Sequence, residues 1–205
     1  MPVILLVRHG ENEYVKKGRL AGRLPGVHLN ENGRKQAQTL AEKLGAAPIA
    51  AIYSSPLERA VETAQPLAQV CGLEIALRPG LMEMDYGGWT DQKLKGLSRL
   101  KEWKLVQGAP SRFRFPEGER FGDAQQRIAA ELEELAGLHT PKDLIVCVSH
   151  ADPIKLAVAY FIGLPLDLFQ RLHVSPASVT ALALGEGGGH LLSLNYEFSF
   201  TLPVG

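Results

Sequence analysis

Apolar positions fall along the chain in two rhythms. Val3 to Val7 is an unbroken apolar run, and Leu144 to Val148 is another. Short continuous runs of this kind read as strands buried on both faces, as in a parallel sheet. Between them the spacing turns helical. Ala37, Leu40, Ala41 and Leu44 repeat at i, i+3, i+4 and i+7 behind Asn30 as N-cap, and Gly45 stops the helix. Ile49 to Tyr53 reads as a second strand. Ser55-Pro56-Leu57-Glu58 has the form of a capping box with proline at the first helical position, opening a helix striped by Ala60, Ala64, Leu67, Ala68 and Cys71. Pro66 inside that stripe predicts a kink or a shortened helix. Glu74 to Leu77 is a third short strand.

Residues 79–122 lack a clear period and hold both tryptophans, with short helices expected near Leu94 to Trp103. A segment this long without periodicity reads as a lid or insertion. A helix resumes at Asp123 with Ala124, Ile128, Leu132 and Leu135 on one face. After the strand Asp143 to Ser149, Pro153 opens a helix that Gly163 stops. Ser178 to Leu184 and Leu191 to Asn195 flank a glycine-rich turn and form a β-hairpin. Alternating strands and helices predict a three-layer α/β/α domain over 1–205, its sheet mostly parallel with an antiparallel strand. Glu11 to Leu29 reads as a loop.

Composition changes this picture little. Lys+Arg and Asp+Glu number 22 each, so no bulk field argues for nucleic acid or a membrane surface. Cys71 and Cys147 sit in apolar segments and read as buried free thiols. The apolar start is too short for a signal peptide, and a cytoplasmic protein, monomer or homodimer, is the expectation. The chemistry lies at the strand ends. Val7-Arg8-His9-Gly10 and Val148-Ser149-His150 both close a buried strand with histidine, where open α/β sheets place ligands. His28, His139, His173 and His190 are scattered and read as surface or loop residues.

Four motifs stand in fixed order: LLVRHGEN from Leu5, SSPLERAVETA at Ser54 to Ala64, LMEMDYGGW at Leu81 to Trp89, and VSHADPI at Val148 to Ile154. Together with the stretch Gly18 to Ala37, they resemble the histidine phosphatase superfamily, the phosphoglycerate-mutase-like proteins with an RHG motif. The resemblance implies that fold, a phosphohistidine formed on His9, and Glu83 as proton donor. Arg8, Arg59 and His150 then hold the phosphoryl oxygens, with Asn12 and Ala151 as further phosphate contacts. Guanidinium forks match phosphate and stay charged, which suits that role. Glu83 must be protonated first and act as a base later, so a raised pKa is expected. No metal or cofactor is implied, and the partner is a small phosphorylated metabolite.

The chain also departs from the family pattern. Val15 stands where an asparagine is frequent, Ala21 where a glutamine is, and Asn12 where threonine or serine is usual. His150-Ala151-Asp152-Pro153 replaces SHGG. Asn12 reads foremost as a loop cap, and Asp152 as the cap of the helix at Pro153. Specificity is expected from 85–122 and 13–27, with Arg112, Arg114 and Lys93 as candidates for a second anionic group. Trp89 and Phe113 either wall the pocket or pack the insertion. A chain of 205 residues has less to spare for enclosing a phosphorylated intermediate, so a phosphatase is favoured. The alternatives are mutase-type phosphotransfer and a non-catalytic phospho-ligand-binding protein.

Overall fold

A computed structural model describes residues 1–198. Strand β1 (Val3–Arg8) is followed by the short helix α1 (Glu13–Lys16), α2 (Glu31–Leu44), β2 (Ile49–Ser54), α3 (Glu58–Cys71) and β3 (Ile75–Leu77). The aperiodic stretch holds three 3₁₀ turns and two short helices, α4 (Leu94–Leu97) and α5 (Trp103–Gly108). Helix α6 (Phe121–Gly137), β4 (Leu144–Ser149), α7 (Ala151–Phe161), β5 (Val179–Gly185) and β6 (Gly188–Tyr196) complete the order.

The strands form one six-stranded sheet in the order β3-β2-β4-β1-β5-β6. The first four in that row run parallel, and β5 and β6 are antiparallel to their neighbours. Alternation along the two central strands divides the core. Ile4 and Leu6 of β1, with Ile145 and Cys147 of β4, face Leu132 of α6 and Ile154 of α7. Leu5 and Val7, with Val146 and Val148, face Leu40 of α2 and Ala60 and Leu67 of α3. Both strands are therefore apolar at every position up to their last, Arg8 and Ser149, and helices cover both faces.

Several local expectations change. The capping box at Ser55 does not form. Helix α3 starts at Glu58 behind Leu57, which supplies no side-chain cap, and the Ser55 hydroxyl turns toward His150 instead. Pro66 does not shorten α3, which runs on to Cys71. The loop after β1 contains α1, capped by Asn12 through a 2.9 Å bond from the Val15 amide. Asn30 caps α2 as expected, accepting from the Gly33 amide. Cys71 and Cys147 are free thiols, Cys71 only partly buried.

The carboxyl end of β1 is fixed by a close crossing of two chain segments. A β-carbon on Gly33 would stand 2.0 Å from the Glu11 carbonyl oxygen, and one on Gly10 would stand 2.7 Å from that of Gly33. No side chain fits between them.

Candidate active site

The parallel register between β1 and β4 pairs Arg8 with Ser149, so the two strands end side by side. The His9 amide donates to the Ser149 carbonyl at 2.9 Å, and the rings of His9 and His150 lie 5.1 Å apart. The chain leaves β1 for α2 on one face and leaves β4 for α7 on the other. The histidines thus stand in the crevice that such a reversal opens at the carboxyl ends of the strands.

His9 is fully enclosed and held by its own loop. Its Nδ1 lies 2.7 Å from the Gly10 carbonyl, which can only accept, so Nδ1 carries the proton and Nε2 keeps its lone pair. Burial, then Arg59 and Arg8, lower the His9 pKa well below the ordinary imidazole value and keep the ring neutral. The Gly10 amide donates to the Thr63 hydroxyl, which in turn donates to the Arg59 carbonyl, tying the loop to α3.

The guanidinium of Arg59 is buried and anchored by one bond, Nη2 to the Gly22 carbonyl at 2.8 Å. Arg8 is anchored likewise, Nη1 to the Val174 carbonyl at 2.7 Å. Among the described residues, Arg8 Nε, Arg59 Nε and Nη1, and Asn12 Nδ2 are buried with no hydrogen-bond partner. Buried donors are rarely left unpaired, and charged ones least of all. These four line one cavity together with His9. His150, the residue after β4, packs against His9 outside the cavity lining, Nε2 at 2.9 Å from the Ser55 hydroxyl and Nδ1 at 3.9 Å from Glu83. Its pKa is also lowered well below the usual value by burial, then by Arg59.

Glu83 enters from the other side of the crevice. Its backbone is clamped: Arg23 Nε donates to its carbonyl at 2.9 Å, and Arg127 donates to the carbonyls of Gly80 and Met82 at 2.8 and 2.9 Å. Glu119 accepts from both arginines. Burial, then the neighbouring Asp152 charge, raise the Glu83 carboxyl to about 7. That value suits a group that must give and take a proton near neutrality.

Asp152 does not cap α7. Its carboxylate accepts from the Tyr86 hydroxyl at 2.9 Å and from Lys155 at 2.7 Å, and it lines the cavity. Burial opposes its charge, but Lys155 and Tyr86 outweigh burial and hold it ionised. Ala151 begins α7 and also lines the cavity.

The cavity, about 370 Å³, draws its walls from 14–21 and 86–121, the two stretches expected to set specificity. Arg112, Arg114 and Lys93 are absent from it; Arg114 is spent on the Gly118 carbonyl. Trp89 is a wall, whereas Phe113 packs into the core against Phe115 and Phe121. Sequence reasoning missed the Ser55–His150 bond, the Tyr86–Asp152–Lys155 chain and the Arg23–Glu119–Arg127 clamp. Tyr86 stands within a quoted motif and could have been found there. The clamp joins residues separated by up to 104 positions and leaves no local signal.

The fold and this crevice are those of a phosphate-ester enzyme built on an open α/β sheet. Residues 4–197 match the family described as the histidine phosphatase superfamily (branch 1), and the chain belongs to that family. It is 30% identical over 197 residues to phosphoserine phosphatase 1 of Hydrogenobacter thermophilus, covering 95% of this chain and 92% of that one. It is 33% identical over 180 residues to the probable phosphoglycerate mutase GpmB of Cronobacter sakazakii, covering 86% and 82%. Among solved structures, a mycobacterial glucosyl-3-phosphoglycerate phosphatase complexed with VO3 superposes with a TM-score of 0.86 at 27% identity, over 95% of this chain and 99% of that one. YhfR of Bacillus stearothermophilus gives 0.89 at 27%, over 96% and 98%.

Proposed function

We propose that this protein is a phosphatase that hydrolyses phosphate monoesters of small metabolites through a phosphohistidine on His9. The observation that carries the reading is the ring of buried, unpartnered donors from Arg8, Arg59 and Asn12 around a neutral His9. In the first step the Nε2 lone pair attacks phosphorus in line, and the ester P–O bond breaks. The Glu83 carboxylic acid gives its proton to the departing alkoxide. The equatorial oxygens gather charge as this happens, and the two guanidiniums, His150 and the start of α7 stabilise them. In the second step the Glu83 carboxylate takes a proton from water, the oxygen attacks phosphorus, and the P–N bond breaks. Orthophosphate leaves, and Glu83 is again protonated. Asn12 serves both as the cap of α1, through Oδ1, and as a phosphate donor, through Nδ2.

Relatives bearing phosphatase names at this similarity support hydrolysis. Others carry the name of probable phosphoglycerate mutases, which keeps phosphoryl transfer as the second reading. The test is release of product from p-nitrophenyl phosphate, with an alkaline denaturing quench to trap the acid-labile, base-stable phosphohistidine. His9→Ala should abolish both signals. Turnover that survives His9→Ala refutes the mechanism, and transfer to an acceptor alcohol outrunning hydrolysis selects the mutase.

A further inference from the structure

The part of the cavity beyond the phosphoryl donors is mostly apolar. Leu20, Trp89, Leu94, Trp103, Val106 and Phe121 form most of its surface, the two indoles stack with centroids 6.2 Å apart, and the polar side chains there besides Arg19, those of Tyr14, Gln107 and Gln170, carry no charge. A leaving group that carries a carboxylate needs a cation or a set of free donors there, because an unpaired buried charge costs heavily. Among the described residues the only cation lining this part is Arg19, and it is already engaged. Its Nη2 meets the Asp91 carboxylate at 2.6 Å, its Nε donates to the Asp91 carbonyl, and its guanidinium lies 5.5 Å over the Tyr14 ring. Lys155, behind the wall, is bound to Asp152 and Gln170. Residues 199–205 contain no Lys, Arg or His. Asp152 adds a negative charge on the cavity wall, which repels a second anion.

We propose that the substrate is a phosphate monoester whose leaving group is uncharged and apolar, an aryl or arylalkyl alcohol rather than a hydroxy or amino acid. This rests on the phosphatase reading of the same site. Stacking between the leaving group and the indoles of Trp89 and Trp103 supplies the recognition.

The test compares kcat/KM for 2-phenylethyl phosphate, methyl phosphate, phosphoserine and 3-phosphoglycerate. All four leave as alkyl alcohols, so leaving-group activation does not bias the ranking. The phenylethyl ester should exceed both carboxylate esters by at least about tenfold, the discrimination an apolar pocket gives between side groups. Trp103→Ala should lower its rate by about tenfold while methyl phosphate stays within about twofold, which separates pocket loss from misfolding. In Asp91→Asn, the freed Arg19 charge should raise the rate on 3-phosphoglycerate and leave the phenylethyl ester unchanged. Equal or better rates on either carboxylate ester in the unaltered protein overturn the proposal. Hydrolysis of p-nitrophenyl phosphate with that reversed ranking overturns the substrate class alone, whereas no hydrolysis of any ester overturns the phosphatase reading with it.

Discussion

Ionising Glu83 is the perturbation that tests the site most directly. A carboxyl whose pKa moves from 4.5 to about 7 is ionised in place at a cost of about 3 kcal/mol relative to water. Burial is the largest cause, and Asp152 adds to it. At about pH 6 roughly nine in ten molecules carry the acid form, and at about pH 8 only about one in ten does. For an alkyl phosphate, whose leaving group needs that proton, kcat/KM should therefore fall about tenfold per pH unit above 7. The substrate's own second ionisation, near pH 6, is complete by then and does not contribute to the limb. p-Nitrophenyl phosphate, with a good leaving group, should show a shallower limb. Initial rates across about pH 6 to 9 at constant ionic strength measure it. Asp152→Asn removes one cause of the raised pKa and should move the limb to lower pH. A flat or rising alkyl-phosphate profile through pH 8 refutes Glu83 as the acid. Stability gives an independent readout. The native state holds this proton between 4.5 and about 7 while the unfolded chain does not, so stability falls as pH rises through that window. Glu83→Gln should therefore be nearly inactive yet more stable than the parent at about pH 8 in a urea titration.

Other outcomes follow from single groups. Arg59→Leu should cost about 10²-fold to 10³-fold in kcat/KM, and the His9 pKa, read by NMR, should rise because Arg59 helps to depress it. Rates within about threefold of the parent contradict a phosphoryl role. His9 and His150 are held neutral by burial, so the unfolded chain binds protons that the native state refuses, and stability should drop as pH falls below 6.5. Replacing both histidines by Gln should flatten that acid limb in a thermal melt. Gly33→Ala should lower stability by about 1–3 kcal/mol or more, since its methyl meets the Glu11 carbonyl at 2.0 Å; a denaturant midpoint unchanged from the parent refutes the crossing.

The strands and long helices were legible because burial on two faces leaves continuous apolar runs, as in β1 and β4, and burial on one face leaves the stripe of α2. Short elements were not. α1 and the true start of α3 depend on where Asn12 and Ser55 direct their side chains, and Ser55 is claimed by a histidine 95 residues away. The site's residues came from motifs in order, and the structure brings Arg8, His9, Asn12, Arg59, Glu83 and Ala151 around one cavity, with His150 packed against His9 and Glu83 outside its lining. What holds them there was hidden, because Arg127 reaches Glu83 only through backbone carbonyls, which any sequence provides. Asp152 was misread for a related reason. Helix position alone favours capping, but Tyr86 and Lys155 offer better partners in three dimensions.

The sheet order has a consequence for how the protein acquires activity. β1 and β2 are consecutive along the chain, yet β4, made some ninety residues later, lies between them. An early β1–β2 pairing would have to be undone before His150 could come beside His9. Contacts of such high sequence separation impose large loop-closure costs and slow folding. Refolding should therefore show helical signal returning ahead of phosphate binding, with insertion of the central strand as the slow event. A chain truncated before Ser149 should lack the site altogether, however much helix it retains.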